Sequence, residues 1–219
     1  MRAESDRSFE DRLAQGQAWI GEADSRLYQE QTEAVGDLDP ADPRIEMIQR
    51  GVADQFWREI RFREMRTYIE EHAELRTFVD MSVSFRFCQS DRSNTAYLEE
   101  YVASNGWPNE SEMGETFTLY AWLILQHSNL DTQEAMLPFI QDAVARGEAR
   151  PNHLATLTDR IMRRRGEQQI YGTQWGCRDG EFGPHDLMDP ETVDERRAEV
   201  GLGPLADSFT DRPRPDCQP

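Results

Sequence analysis

Apolar residues recur at helical spacing along the first third of the chain. Between residues 9 and 34 they fall every three to seven positions, with charged residues on the opposite face, which predicts one long amphipathic helix. The Asp- and Pro-rich segment 37–43 ends it, because a residue that precedes proline is driven out of the α region. A second long helix is predicted from about Arg44 to Arg76.

The middle of the chain carries the most apolar segment. Residues 77–90 are β-branched and aromatic, and their pattern does not decide between helix and strand. A helix is predicted from near Asp91 to Asn105, where Gly106 supplies a typical stop. The next predicted helix, from Ser111 to about His127, is apolar on nearly every side. We therefore expect it to be the central, most buried helix.

The last third of the chain alternates stop signals with shorter helical patterns. Asp131 to Glu134 has the form of a capping box and predicts a helix to Gly147, with a kink or break at Pro138. Helices are also predicted for residues 151–166 and 189–200. Between them, residues 168–175 have the pattern of a strand, and the turn at residues 178–180 predicts a small β-hairpin.

These elements predict a mainly α fold, a single-domain bundle of about seven helices with a small hairpin near the carboxyl end. We divide the chain into an amphipathic helix and linker at 1–43, a helical domain with hairpin at 44–206, and a disordered tail at 207–219. The longest apolar run, residues 120–125, is far shorter than the roughly 20 residues that span a bilayer. No membrane segment is therefore predicted.

Charge excludes several classes of partner. The 219 residues include 24 basic and 42 acidic side chains, and the formal net charge is −18. Nucleic acid is excluded as a partner because its backbone requires a basic surface, and the same repulsion opposes anionic membranes. Every basic residue is arginine, so lysine-dependent chemistry is excluded as well. The all-arginine usage is also typical of a GC-rich bacterial genome.

Cysteine usage predicts the compartment. The three cysteines, Cys88, Cys177 and Cys217, form no CxxC pair and leave an odd count. This pattern fits a reducing compartment better than a disulfide framework. The amino terminus has neither a basic nor an apolar leader region. We therefore expect a cytoplasmic protein without disulfides.

A set of short motifs occurs in a fixed order from roughly Ile45 to Leu205. Its principal members are Gly106-Trp107-Pro108, Gln126-His127, Asp159-Arg160 and Tyr171-Gly172-Thr173-Gln174. The set resembles a bacterial family of domains of unknown function, marked by a GWP turn, a QH pair ending an apolar helix, a DR pair and a YGTQ strand. The resemblance implies a common fold and a cluster of polar residues, and it implies no reaction. One departure is that Ser128-Asn129 follow the QH pair where the family has Ala-Asp.

Candidate chemistry centres on His127, which follows the most apolar helix and could act as an acid or base near neutral pH. Asp54 and Asp159 are the other candidate catalytic residues. The planar guanidinium groups of arginine and the polar strand that contains Tyr171 could bind a small polar or anionic ligand. The predicted ligand-binding residues are Arg58, Arg160, Tyr171, Thr173, Gln174 and Gln126.

Each of these residues also has a purely structural interpretation. A histidine in a last helical turn is stabilised by the free carbonyls there, and Asp54 and Arg58 could simply pair on one helix face. The histidines lack metal-ligand spacing, so we predict no metal site, and no cofactor is indicated. Two functions therefore stay open: a small-ligand-binding or enzymatic domain, and a non-catalytic acidic interaction module whose protein partner the sequence does not specify.

Overall fold

The computed structural model describes residues 2–209 and residue 217. The described chain is mainly helical and has one two-stranded antiparallel hairpin near its carboxyl end, which confirms the predicted fold class. It forms two compact units, one of residues 1–100 and 115–127 and the other of residues 101–114 and 128–219. None of the described helices is long and apolar enough to cross a membrane.

The first unit contains long helices that differ from the predicted ones in their breaks. Its helices are α1 (Arg2–Val35), α2 (Ile45–Glu59), α3 (Met65–Glu71), α4 (Arg76–Asn105, whose last five residues belong to the second unit) and α6 (Glu115–His127). The predicted helix 44–76 is interrupted by a π-helical turn at Ile60–Glu64 and ends at Glu71. No glycine or proline marks either break, so the sequence pattern missed them. The undecided residues 77–90 belong to α4.

The core of the first unit lies where α1, the α2 to α3 region and the start of α4 meet. Trp19 of α1 stacks on Tyr68 of α3, with 4.6 Å between ring centroids. Phe9, on the predicted apolar face of α1, is 61% exposed, so that face is buried only further along the helix. The buried apolar residues of this core are Ile20, Ala23, Phe56, Trp57, Ile60, Ile69, Leu75, Val79 and Val83.

Close packing of α2 on α6 depends on Gly51. A Cβ atom added at Gly51 would lie 2.0 Å from Cγ of Tyr120, so the two helices would have to move apart. We expect Gly51→Ala to lower the free energy of unfolding by about 1–3 kcal/mol, as overpacked cores do, despite the higher helix propensity of alanine. Urea unfolding measures this change.

Gly21→Ala is the matched control for Gly51→Ala. Gly21 lies on α1, and a Cβ atom there would meet nothing within 4 Å. We expect it to be neutral or to stabilise by up to about 1 kcal/mol, the difference in helix propensity. Equal effects of the two substitutions would contradict the packing argument.

The second unit contains shorter elements. They are α5 (Glu110–Met113), α7 (Leu130–Ala145), α8 (Pro151–Arg164), β1 (Gly176–Arg178), β2 (Glu181–Gly183) and α9 (Val193–Glu199). The predicted helix 111–127 is not continuous, because Gly114 at φ 83° ends α5. A 3₁₀ turn at Pro190–Thr192 precedes α9, and a second one covers Leu205–Phe209.

Helix α7 packs against α8 and begins earlier than predicted. Its N-cap is Asn129, whose side chain accepts a hydrogen bond from the Thr132 N–H at 2.9 Å. The capping box predicted at Asp131 is therefore wrong. The helix also continues through Pro138, so of the predicted kink or break the break does not occur.

The hairpin lies later in the chain than the predicted strand. Residues 168–175 form no strand, apart from an isolated bridge between Gln169 and Leu187. Strands β1 and β2 pair around Asp179 and Gly180, which have φ values of 53° and 81°. Positive φ at both central positions is typical of a type I′ turn. The turn was therefore predicted correctly and the first strand was not.

A disulfide links Cys177 of β1 to Cys217, with the two Cα atoms 5.4 Å apart. The prediction of a chain without disulfides is wrong, since only Cys88 is free. An odd cysteine count does not exclude one bond, and the spacing of 40 residues gives no local signal. Within the predicted disordered tail, residues 207–209 belong to the last 3₁₀ turn, and residues 210–216, 218 and 219 lie outside the described residues.

Candidate functional site

Four ionisable side chains of the first unit converge on one point. Asp54 and Arg58 lie one turn apart on α2, His127 is the last residue of α6, and Asp91 lies in the middle of α4. The close contact of α2 with α6 brings the first two to the third. Three of the predicted site residues are thus neighbours in space, and Asp91 joins them.

His127 and Asp54 form a dyad. Nδ1 of His127 lies 2.7 Å from Oδ2 of Asp54 and 2.8 Å from Nε of Arg58. Both contacts cannot be hydrogen bonds, because Nδ1 either carries a proton or accepts one. An ionised carboxylate at 2.7 Å requires the proton on Nδ1, so Nδ1–H donates to Asp54. The neutral ring then carries its free lone pair on Nε2.

Arg58 joins the two carboxylates. Its Nη2 donates to Oδ1 of Asp54 at 3.2 Å and to Oδ1 of Asp91 at 2.5 Å. The guanidinium lies over the ring of Phe87, 4.8 Å from the ring centroid. Bonds to two acids and a contact with an aromatic face fix its orientation.

The two carboxylates respond differently to this environment. Burial raises the pKa of the Asp54 carboxyl, which is 2% exposed, but His127 and Arg58 together lower this pKa below its ordinary value. Burial also raises the pKa of Asp91, and there the charge of Arg58 opposes the rise without cancelling it. Asp54 is therefore the anchored anion of the cluster, and Asp91 is the more readily protonated acid.

Two atoms of the cluster are available to a ligand. No hydrogen bond from the described residues reaches Nε2 of His127 or Nη1 of Arg58. The side chain of His127 is 20% exposed, compared with 1% for Asp54. The dyad thus joins a buried carboxylate to a partly exposed imidazole, and both His127 and Arg58 contact Asp54.

Asp159 lies in the second unit and has a different environment. It is completely buried on α8. Its carboxylate accepts hydrogen bonds from the backbone N–H groups of Ile170, Tyr171 and Thr173 and from the Thr173 hydroxyl, at distances from 2.8 to 3.3 Å. These four donors occupy both oxygens, and the carboxylate holds the 170–173 segment in place.

The remaining predicted ligand-binding residues are distributed over both units. Gln174 donates through Nε2 to the Thr156 carbonyl at 3.3 Å and to the Thr173 hydroxyl at 3.1 Å. Burial raises the pKa of Tyr171, and the charge of Asp159 adds to the rise. Arg160 is half-buried on α8, and Gln126 is buried on α6 in the first unit.

Sequence reasoning missed Asp91 and Gln55 as members of the first cluster. Gln55 donates through Nε2 to Oδ2 of Asp54 at 2.7 Å. The sequence offered weak signals for both, since Gln55 follows Asp54 directly and Asp91 stands at a predicted helix start. Among the described residues, no group of three or more acid, histidine or cysteine side chains is arranged to hold a metal ion.

The fold and the site define a mainly helical protein with a partly buried aspartate–histidine–arginine cluster. A family of unknown function (DUF6624) matches residues 79–211, more than half of the chain, and the protein belongs to this family. His127 and Asp159 lie inside the matched range, and Asp54 and Arg58 precede it. No curated protein and no solved structure matches the sequence.

Proposed function

We propose that the protein is a small-ligand-binding or enzymatic domain of bacterial origin whose site is the Asp54–His127 dyad with Arg58. The observation that carries this proposal is the orientation of the histidine. Asp54 accepts a hydrogen bond from Nδ1–H, so the lone pair of the neutral ring is on Nε2, and the side chain of His127 is 20% exposed. An oriented imidazole with a buried carboxylate behind it is the usual arrangement of a general base.

The charges of the cluster support proton uptake from a ligand. When the imidazole is neutral, the two carboxylates of Asp54 and Asp91 and the guanidinium of Arg58 give the cluster one net negative charge. A proton accepted on Nε2 makes the cluster neutral, and Asp54 stabilises the resulting imidazolium. Nη1 of Arg58 would meanwhile donate to an oxygen of the same ligand. A polar molecule with an acidic O–H or N–H group, or an anionic oxygen, fits this pair of atoms.

We leave the candidate residues of the second unit out of the proposed site, because they already have hydrogen-bond partners within that unit. Both oxygens of Asp159 already have donors, so Asp159, Tyr171, Thr173 and Gln174 form a structural network around the 170–173 segment. This network supports the alternative function, a non-catalytic acidic interaction module in which the candidate residues maintain the fold.

His127→Gln tests the proposal. The variant keeps a polar side chain but loses the proton acceptor, and we expect its melting temperature without ligand to stay within about 4 °C of wild type, as for a cost near 1 kcal/mol. Phosphate, sugar phosphates, carboxylic acids and nucleotides are screened by thermal shift, since a ligand that binds only the folded state raises the melting temperature. We expect a stabilising compound for wild type and no shift for the variant.

The melting temperature of His127→Gln without ligand, together with its ligand binding, distinguishes the two functions. If His127→Gln melts far below wild type, or if it binds every stabilising compound as tightly as wild type does, the histidine is structural. His185→Gln is the matched control. His185 lies in the second unit, where its Nε2 contacts the Gly176 carbonyl at 2.9 Å, so ligand shifts should be unchanged in that variant.

The Cys177–Cys217 bond removes the support for a cytoplasmic location. We infer that the chain matures in an oxidising compartment, where such bonds persist. Iodoacetamide labelling of the unfolded protein, purified without reductant from its natural host, should then modify only Cys88. Labelling of all three cysteines would instead restore the predicted reducing compartment. Reduction before labelling is the positive control, since it should expose three thiols.

A further inference from the structure

The first unit has a second concave feature, a groove of about 620 Å³ between α1, α2 and α4. None of Asp54, Arg58 and His127 lines it. Its volume is in the range of small-molecule sites. Its walls carry charged side chains, neutral polar side chains and aromatic rings.

The charges of the groove are already neutralised in pairs. Arg86 binds both carboxylate oxygens of Asp24, at 2.9 and 2.6 Å. Arg50 binds Oε1 of Glu46 through Nε and Nη2, at 3.1 and 2.9 Å, and donates through Nη1 to the Ser93 hydroxyl. Neither pair leaves a net charge for an ionic ligand. Both pairs are partly exposed.

Rings hold these arginines in place. The guanidinium of Arg50 lies 4.5 Å from the centroid of Tyr97, and that of Arg86 lies 5.7 Å from the centroid of Trp57. An arginine–carboxylate pair presents N–H donors directly beside carboxylate acceptors. That edge is complementary to two adjacent hydroxyl groups, because each hydroxyl both donates and accepts.

Neutral polar groups complete the walls. The side chains of Gln49 and Gln89 make no hydrogen bond to the described residues, and Gln31 uses only its Nε2, which donates to the Gln49 carbonyl at 2.9 Å. Ser90 and Ser93 add hydroxyls. Phe85, 66% exposed, supplies an apolar surface on the same groove. An aromatic face beside amides and hydroxyls suits the C–H face and the hydroxyl edge of a sugar ring.

We propose that this groove binds a neutral carbohydrate. Adjacent sugar hydroxyls bind the arginine–carboxylate edges and the glutamine amides, and the apolar face of a ring packs on Phe85. The site is independent of the His127 dyad.

Ligand-observed NMR with glucose, galactose, N-acetylglucosamine, maltose and cellobiose tests the proposal, with sodium phosphate as the ionic comparison. We expect at least one sugar to bind, and phosphate not to bind at this groove. Gln89→Ala should weaken that sugar by about twofold to tenfold, the usual effect of losing one hydrogen bond, and Phe85→Ser should weaken it as well. Both side chains contact solvent, so the fold should persist, which circular dichroism checks.

Phe62→Ser is the matched control, since Phe62 is 65% exposed in the same unit and does not line the groove. It should bind sugar as wild type does. Failure of all five sugars to bind would overturn the proposal, and so would binding that Phe85→Ser and Gln89→Ala leave unchanged. Neither result would affect the dyad, whose test uses a different variant.

Discussion

Asp159→Asn should be among the most destabilising single substitutions in the second unit. The carboxylate accepts from four donors of residues 170–173 and is completely buried. An asparagine keeps one acceptor oxygen and turns its NH₂ group toward N–H donors, which leaves buried donors unsatisfied. We expect a loss of about 3–5 kcal/mol, because each hydrogen bond to a charged group contributes about 1.5–3 kcal/mol.

Thermal unfolding and amide hydrogen exchange together measure this effect. A loss of this size lowers the melting temperature by roughly 10 °C for a chain of this length, and the amides of residues 170–173 should lose their protection. Asp142→Asn is the control, because Asp142 is 69% exposed on α7 and forms an exposed ion pair with Arg146. Exposed pairs contribute about 1 kcal/mol or less. Similar melting temperatures for the two variants would show that the Asp159 carboxylate does not hold the segment.

Asp54→Asn should be the most destabilising change in the first unit and should also disable the proposed site. It removes a buried charge that faces His127 and Arg58. Breaking a buried ion pair costs about 3–5 kcal/mol, and we expect the lower end here because Arg58 keeps Asp91. The ligand shift of wild type should disappear, since the imidazole loses the group that orients it.

The contribution of Asp54 to the free energy of unfolding should decrease as the pH falls. The pKa of Asp54 is lower in the folded protein than its ordinary value of 3.8, so the unfolded chain binds the proton more tightly. The contribution of Asp54 is therefore complete well above pH 3.8 and is lost as the pH falls through that value toward the folded pKa. Urea unfolding of wild type and Asp54→Asn at pH 7 and pH 3 should show the difference shrinking in acid.

Asp91→Asn is the comparison for Asp54→Asn. Burial raises the pKa of Asp91, so the folded protein disfavours its charged form, and removing that charge should cost less than removing the charge of Asp54. An equal or larger loss for Asp91→Asn would mean that Asp91, and not Asp54, anchors Arg58.

The amphipathic helices were the part of this fold that the sequence predicted best. Periodicity located α1, α7, α8 and α9, because amphipathic spacing and stop residues such as Gly147 and Gly166 are local signals. The breaks at Ile60–Glu64 and after Glu71 have no such signal. Helix α4 includes the β-branched residues 77–90, where burial of Val79 and Val83 outweighs a propensity that favours strands.

The candidate site was only partly predictable. Asp54 and Arg58 could be paired from their spacing of four residues, and His127 stood out as a histidine at the end of the most apolar helix. Asp91 could not be assigned, because its contact with Arg58 spans 33 positions. Asp159 was a candidate for chemistry because it belongs to the Asp159-Arg160 motif, and only its surroundings show that both oxygens already accept hydrogen bonds.

The sequence by itself determined the helical class, the hairpin turn at Asp179-Gly180, the charge of −18 and the use of arginine as the only permanent cation. These properties depend on composition and on neighbours a few residues apart. The tertiary structure decided which acid orients His127 and which donors bind the carboxylate of Asp159. It also decided that Cys177 bonds to Cys217. Those contacts join residues far apart in the chain, and their geometry depends on how the intervening helices pack.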